Sequence, residues 1–320
     1  MADTLTRFMA KLHIEGETFV TGLVPFDPVD NRPGTLFFTV RLVDVPNTLD
    51  DALRLEEERL WQLKVEDANV RGQNLTNGFQ YLVSPAQIEA IKYVVGRTIT
   101  VPVARGTYSR IELATAEVKK DPQRKDIPNV LALCEIVGGS GAYLFVERGG
   151  KVAYHGGTSQ LHALVAGNYP RNLPQTRPED MTPEKWLEAQ QETEHKIAPE
   201  EIQQRLFLGI ILDKTLGYKP DMAFGALTSV TADHLSERFA EDAWEKKGIQ
   251  EVPFNSGILD PTRALRELIL EHADFKRHVP PGLGAAIIEL ARRDTISALD
   301  RLNAEGRQHS APLIEYAVRL

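Results

Sequence analysis

Cysteine is nearly absent from this chain: Cys134 stands alone among 320 residues. An intramolecular disulfide is therefore impossible, and a reducing compartment, the cytoplasm, is the expected location. Long apolar runs are missing too. No stretch reaches the ~20 residues that a spanning helix needs and no charged-then-apolar leader opens the sequence, so no membrane partner is expected. Basic charge is in deficit: 37 Lys and Arg face 45 Asp and Glu, a formal net charge of −8. The deficit sits in the middle of the chain, with sixteen acids against eight bases between Glu179 and Glu251, whereas 261–320 holds nine bases and eight acids. That balance excludes a chain-wide duplex-binding surface, because phosphate neutralisation supplies most non-specific affinity.

High-specificity chemical motifs are lacking as well. There is no G-x-S-x-G elbow to nominate a nucleophilic serine, no HExxH zinc pair, no P-loop and no dinucleotide fingerprint. His272, Asp274 and His278 lie close in sequence. On a continuous helix, however, two histidines six residues apart point ~120° away from each other. Glu192, Glu194 and His195 lack metal-ligand spacing, so no metal site is expected and no cofactor is specified. The acid run Glu56-Glu57-Glu58 reads as a solvated helix face. Cys134, in Val130-Leu131-Ala132-Leu133-Cys134-Glu135-Ile136-Val137, reads as a buried, inert thiol in a strand covered on both faces.

What is present describes an ordinary globular protein, 42% hydrophobic and 26% charged. The first half alternates like strands. Phe8 to Ile14 and Thr18 to Val24 flank the turn Glu15-Gly16-Glu17, and Thr35 to Val45 places Phe38, Val40 and Leu42 on one face. Trp61 to Val65, Phe79 to Val83, Arg97 to Val103 and Tyr108 to Val118 are further strand candidates. Asn47-Thr48 caps a helix with Asp50 and Asp51 in its first turn, and Ser84-Pro85-Ala86-Gln87 is a capping box with proline at the first helical position. Pro170, Pro174, Pro178 and Pro183 then punctuate a polar segment, after which Thr182-Pro183-Glu184-Lys185 opens a helix. Pro199 to Leu212, Thr231 to Lys247, Pro261 to Phe275 and Gly284 to Asn303 read as helices, with a last turn or two from Pro312. The expected class is α+β: a mixed β-rich domain over 1–168, a proline-rich linker over 169–182, and an all-helical domain over 183–320.

One stretch joins the two halves, from Gly149 to Asn168. It reads as a hairpin end, a strand to His155, the turn Gly156-Gly157-Thr158-Ser159, and a helix closed by Gly167-Asn168. Backbone N–H groups and a helix dipole converge at such a turn, and bare glycine lets a phosphate approach. Thr158 and Ser159 would add hydroxyl donors; as plain helix caps, the same residues would need no ligand. Two functions are expected from this pattern. The first is a binding protein for a phosphate-bearing ligand, a nucleotide or a nucleic-acid end, held by Gly156, Gly157, Thr158 and Ser159. The second is a non-enzymatic structural or assembly protein, cellular or viral, working through protein–protein contacts or as a homo-oligomer. Whether it is an enzyme is left open by the residues.

Overall fold

The computed structural model describes residues 6–14, 17–18, 20–24, 26–27, 32–33, 39–91, 98–138, 142–148, 160–168, 182–192, 196–238, 246–253 and 315–319. The chain begins with strands Thr6–Ile14 (β1), Glu17–Thr18 (β2), Val20–Val24 (β3), Phe26–Asp27 (β4) and Arg32–Pro33 (β5). Next come strand Thr39–Asp44 (β6), helix Asp51–Val70 (α1), strand Phe79–Val83 (β7), helix Pro85–Glu89 (α2), strand Thr98–Thr107 (β8), helix Arg110–Lys120 (α3) and strand Asn129–Val130 (β9). Strands Ala132–Gly138 (β10), Ala142–Arg148 (β11), Gln160–Ala163 (β12) and Val165–Asn168 (β13) lead to helix Pro183–Gln190 (α4). Strands Ile202–Asp213 (β14) and Lys219–Thr228 (β15), helix Ala232–Arg238 (α5), and strands Lys246–Pro253 (β16) and Glu315–Arg319 (β17) complete the described chain.

These elements form two main sheets. The larger runs β12-β11-β10-β15-β14-β3-β1-β17, with β13 on β10, β16 on β11 and β2 on β1; the smaller runs β6-β8-β7-β9. In the small sheet, Val40, Leu42, Tyr81, Val83, Ile99, Val101 and Val103 belong to the same buried cluster as Leu133, Ile210, Leu212, Met222 and Phe224 of the large one. Leu82, Ala104 and Val130 instead pack with Ile111 of α3, and Leu113 and Ala114 of α3 meet Leu49, Leu53 and Leu60 at and before α1. The order of layers is thus large sheet, small sheet, then the α1–α3 helical layer. Each fully buried Leu, Ile or Phe contributes about 1.5–3 kcal/mol, so the sheet-to-sheet interface dominates stability.

The chain passes from one sheet to the other at Leu131, whose N–H donates to the Tyr81 carbonyl. Beside it, the fully buried Asn129 donates from Nδ2 to the carbonyls of Leu216 (2.7 Å) and Gly217 (3.0 Å). Gly217 takes φ +70°, and a Cβ there would lie 2.4 Å from the Ala114 carbonyl carbon, so the turn before β15 docks on α3 only with glycine.

Mixed α and β content agrees with the expected class, and several elements fall where local chemistry places them. Ser84 and Gln87 close a capping box on α2, Thr182 caps α4 through the Lys185 N–H, and Val40 and Leu42 point inward while Arg41 is exposed. Cys134 is buried in a strand that is buried at all seven positions.

Other expectations are corrected. Trp61 to Val65 lies inside α1, where Glu57, Trp61 and Ala68 turn inward at helical spacing. Tyr108 to Val118 is largely α3, with Ile111, Ala114 and Val118 inward. Pro199 to Leu212 is a short 3-10 turn followed by β14; Phe207 to Leu212 is buried at every position, a pattern that buried helices and buried strands share. The described part of 183–320 is therefore not all-helical: it contains β14, β15, β16 and β17 as well as α4 and α5. The helices expected over 261–275 and 284–303 lie outside the described residues. So does 169–181; β10, earlier in the chain, runs parallel to β15, later in it, from Ala132↔Asp221 to Gly138↔Leu227. Trp186 and Leu187 of α4 enter the same buried cluster as Val101 and Leu133, so sheet and core both cross the segment between 1–168 and 183–320.

Candidate functional site

The turn Gly156-Gly157-Thr158-Ser159 lies outside the described residues. The residues after it are described: Gln160–Ala163 is a strand paired with β11, and Val165–Asn168 is a strand paired with β10. The expected helix is replaced by two short strands, which takes the helix dipole away from that turn. Alternation of Leu161, Ala163 and Val165 fits a strand as well as a helix, and the neighbouring strand edges decide the outcome.

A different place in the described structure gathers polar groups without exhausting them. The parallel strands β6 and β8 pair as far as Asp44 opposite Val103, β8 running on to Thr107, and ligands of open sheets commonly sit beyond the carboxyl ends of parallel strands. After β6 the chain loops through Asn47, which is tied to β8 by a hydrogen bond from its Nδ2 to the Arg105 carbonyl (3.0 Å). Asp50 then caps α1 by accepting from the Leu53 N–H (2.8 Å). Strand β8 ends in Gly106-Thr107, turns at Tyr108-Ser109, and enters α3 at Arg110. Between this turn and the flank of α1 lies an open cleft of about 530 Å3, walled by Arg54, Glu57 and Trp61 on one side and Thr107, Ser109 and Arg110 on the other.

Its wall is a relay of hydrogen bonds. Asn77 Oδ1 accepts from the Ser109 N–H (2.8 Å), and the Ser109 hydroxyl donates to Glu57 Oε1 (2.6 Å). Because that hydroxyl proton is engaged, the Thr107 hydroxyl, 2.8 Å from Ser109 Oγ, is the donor of their mutual bond. Arg110 Nε donates to Glu57 Oε2 (3.0 Å), so both carboxylate oxygens of Glu57 are occupied. Ser109 stands at the N-cap of α3, yet its side chain makes no capping bond to the helix. Arg110 Nη1 is buried and has no hydrogen-bond partner. Burial lowers the pKa of Arg110, Glu57 raises it again, and the neighbouring charge of Arg54 lowers it further. Trp61 meets Tyr108 edge-on at 6.2 Å and stiffens the floor.

The acid run on α1 is thereby divided among three roles, not one solvated face. Glu56 pairs with Arg59 at 2.7 Å, Glu57 is buried against Arg110, and Glu58 stays exposed at the cleft mouth. The sequence pattern nominates neither Glu57 nor Arg110, because Glu56-Glu57-Glu58 reads as a solvated helix face and Tyr108 to Val118 as a strand. One local signal does mark α3: Ser109-Arg110-Ile111-Glu112 has the spacing of a capping box.

Two other polar clusters are buried on the large sheet. Glu135 of β10 accepts from Arg205 Nε (2.6 Å) and from Gln191 Nε2, while Arg205 also reaches Glu188 (3.2 Å) and Gln191 Oε1 (2.8 Å). Burial raises the Glu135 pKa against the pull of Arg205. Lys219 Nζ donates to Asp221 Oδ1 (2.8 Å), and Asp221 Oδ2 is buried without a partner. Burial pushes the Cys134 thiol well up, with the Asp221 charge adding to the effect, so this thiol has none of the thiolate character that nucleophilic work needs. Among the described residues no group of three or more His, Cys, Asp or Glu could hold a metal ion, and no helix is long and apolar enough to cross a membrane.

No protein-family model matches this chain, and no curated protein matches it. Among solved structures, the crystal structure of DR0079 from Deinococcus radiodurans is similar at a TM-score of 0.33 and 12% identity, over 62% of this chain and 97% of that one.

Proposed function

We propose that this protein binds a small polar molecule, and that the molecule sits in the cleft between α1 and the β8–α3 turn. The observation that carries this reading is the unpartnered, buried Nη1 of Arg110, a residue that lines a cleft beside the carboxyl end of β8 and the loop after β6. A buried guanidinium nitrogen left without a partner costs about 1–3 kcal/mol, and a bound acceptor would relieve that cost. This reading keeps the class expected for the chain, a binding protein, and moves the seat of the ligand from 156–159 to Arg54, Glu57, Thr107, Ser109 and Arg110.

The test is a thermal-shift screen of nucleotides, phosphorylated metabolites, carboxylic acids, amino acids and neutral sugars, followed by calorimetry on the compounds that stabilise the protein. Gln62 lies at the mouth on the exposed side of α1, and Gln62→Trp would fill the cleft without touching the core. A compound that binds the native protein and loses most of its affinity in Gln62→Trp supports the reading. Compounds that bind both proteins equally place the ligand elsewhere.

A further inference from the structure

We infer that the cleft is built for an oxyanion, a phosphate or carboxylate group, seated between Arg54, Arg110 and the first turn of α3. The inference rests on the proposal that the cleft binds a ligand, and it specifies the chemistry of the group held there.

It comes from separating engaged from unengaged polar atoms. By formal charge the wall is balanced, Arg54 and Arg110 against Glu57 and Glu58. Hydrogen-bonding capacity is not balanced. The one deeply placed acceptor, Glu57, already accepts at both oxygens, from Ser109 and Arg110. The oxygens of Asn47 and Asn77 already accept from the backbone N–H groups of Leu49 and Ser109. The buried atom of the wall left with no partner is a donor. Arg110 Nη1 has no partner, and the Arg110 side chain is only 3% exposed. Arg54 is held only loosely, 3.7 Å from Asp51, whose side chain is 96% exposed. The start of α3, an 11-residue helix, lacks a side-chain cap because the Ser109 hydroxyl turns to Glu57. The Ile111 and Glu112 N–H groups donate to the Tyr108 and Ser109 carbonyls, so this helix start favours an anion through the positive end of the helix dipole.

Two guanidinium groups facing one cleft repel each other until a negative group lies between them, and the planar fork of arginine suits phosphate and carboxylate oxygens. Glu58, exposed at the mouth, is placed for a hydroxyl or ammonium elsewhere on the same molecule. Nη1 is covered by its neighbours, so the incoming oxygen reaches it with a side-chain adjustment of the kind common at binding sites.

The experiment titrates inorganic phosphate and, separately, acetate into the full chain at fixed ionic strength, with chloride as control, following backbone amide shifts by NMR. Saturable shifts centred on Arg110 and Ile111 are expected with phosphate, with acetate, or with both. The responding anion identifies which oxyanion fits. Arg110→Lys keeps a charge for Glu57 but loses the fork, and should weaken binding about tenfold, the worth of one charge-assisted bond. Arg54→Gln, on an exposed position, should weaken it about threefold and folds whether or not Arg110→Lys does. Shifts that do not saturate, or an unchanged Kd in Arg54→Gln, would overturn the inference. If a neutral or cationic compound from the screen binds and is blocked by Gln62→Trp while neither anion saturates, the cleft stands as a binding site and only its oxyanion chemistry fails.

Discussion

Arg110, buried, and Arg205, half-buried, each meet a glutamate in this protein, and they are left in different states. Arg205 uses all three of its nitrogens, on Glu135, Glu188 and Gln191, and Glu135 has both oxygens filled. Arg110 uses Nε on Glu57 and leaves Nη1 buried and unpartnered. The first arrangement is a clamp. It fastens α4 to β10 and β14 and has nothing left with which to hold a ligand. The second fastens α1 to the start of α3, but keeps a donor in reserve beside a cleft. Both side chains are largely withdrawn from solvent, 3% exposed for Arg110 and 12% for Arg205; what separates them is whether the polar valence is closed.

Removing each arginine should therefore cost different amounts. Arg205→Met leaves Glu135, fully buried, without its charge partner, and breaking a buried pair from one side costs about 3–5 kcal/mol. Arg110→Met also removes an unsatisfied nitrogen, and Glu57 keeps the Ser109 hydroxyl, so the expected loss is nearer 1–3 kcal/mol. Urea unfolding monitored by circular dichroism measures both. Equal losses would break the comparison and make Arg110 a second clamp.

A third buried pair sharpens the distinction, because it too has an unpartnered atom. Asp221 Oδ2 is orphaned, yet Lys219 and Asp221 lie within the β14–β15 hairpin with side chains 8% and 1% exposed. An orphan alone does not signify a ligand, and this pair, enclosed in the hairpin, reads as a tolerated defect. Asp221→Leu alone should cost about 3 kcal/mol by stranding the lysine, and Lys219→Met with Asp221→Leu should restore or exceed native stability. Burial raises the Asp221 pKa above 3.8. The contribution of that carboxyl is fully present below 3.8 and lost as pH rises through its folded value, and the double variant should lack this pH dependence. A double variant no more stable than Asp221→Leu would mean the pair has a role beyond packing.

How much of this was legible in the sequence depends on range. The caps at Ser84 and Thr182 and the inward face of Val40 and Leu42 were readable because their causes lie within four residues. Strand β14 was not: an apolar run buried on every side carries no periodicity, and its partner β15 decides it. The same holds for β12 and β13, whose short alternation was settled by β11 and β10. The cleft is assembled from the loop after β6, the flank of α1, Asn77 and the β8–α3 turn. Glu57 stands 53 residues from Arg110, and no local pattern announces such a contact. Only the Ser109-x-x-Glu112 spacing could have shown that a helix, and hence a helix N-terminus, begins there.

The smallest expected effect comes from the most exposed of these pairs. Glu201 accepts from the Ala198 N–H (2.9 Å) and receives Arg238 Nη1 on both oxygens at 2.9 Å, tying α5 to the turn before β14. The side chains are 24% and 31% exposed, so solvent weakens the attraction, and pairs of this kind contribute about 0.2–1 kcal/mol. The Ala198 N–H, then Arg238, lowers the Glu201 pKa below 4.5. A carboxyl lowered on folding stabilises above its unfolded value and loses that contribution as pH falls through the folded one. Glu201→Gln should therefore be slightly less stable than the native chain near neutral pH, and the gap should close as pH drops below 4.5. Urea midpoints from pH 7 to pH 3 would show the two curves converging. Parallel curves would mean that Glu201 acts through shape alone, whereas a gap well above 1 kcal/mol would place Arg238 with Arg205 among the closed clamps.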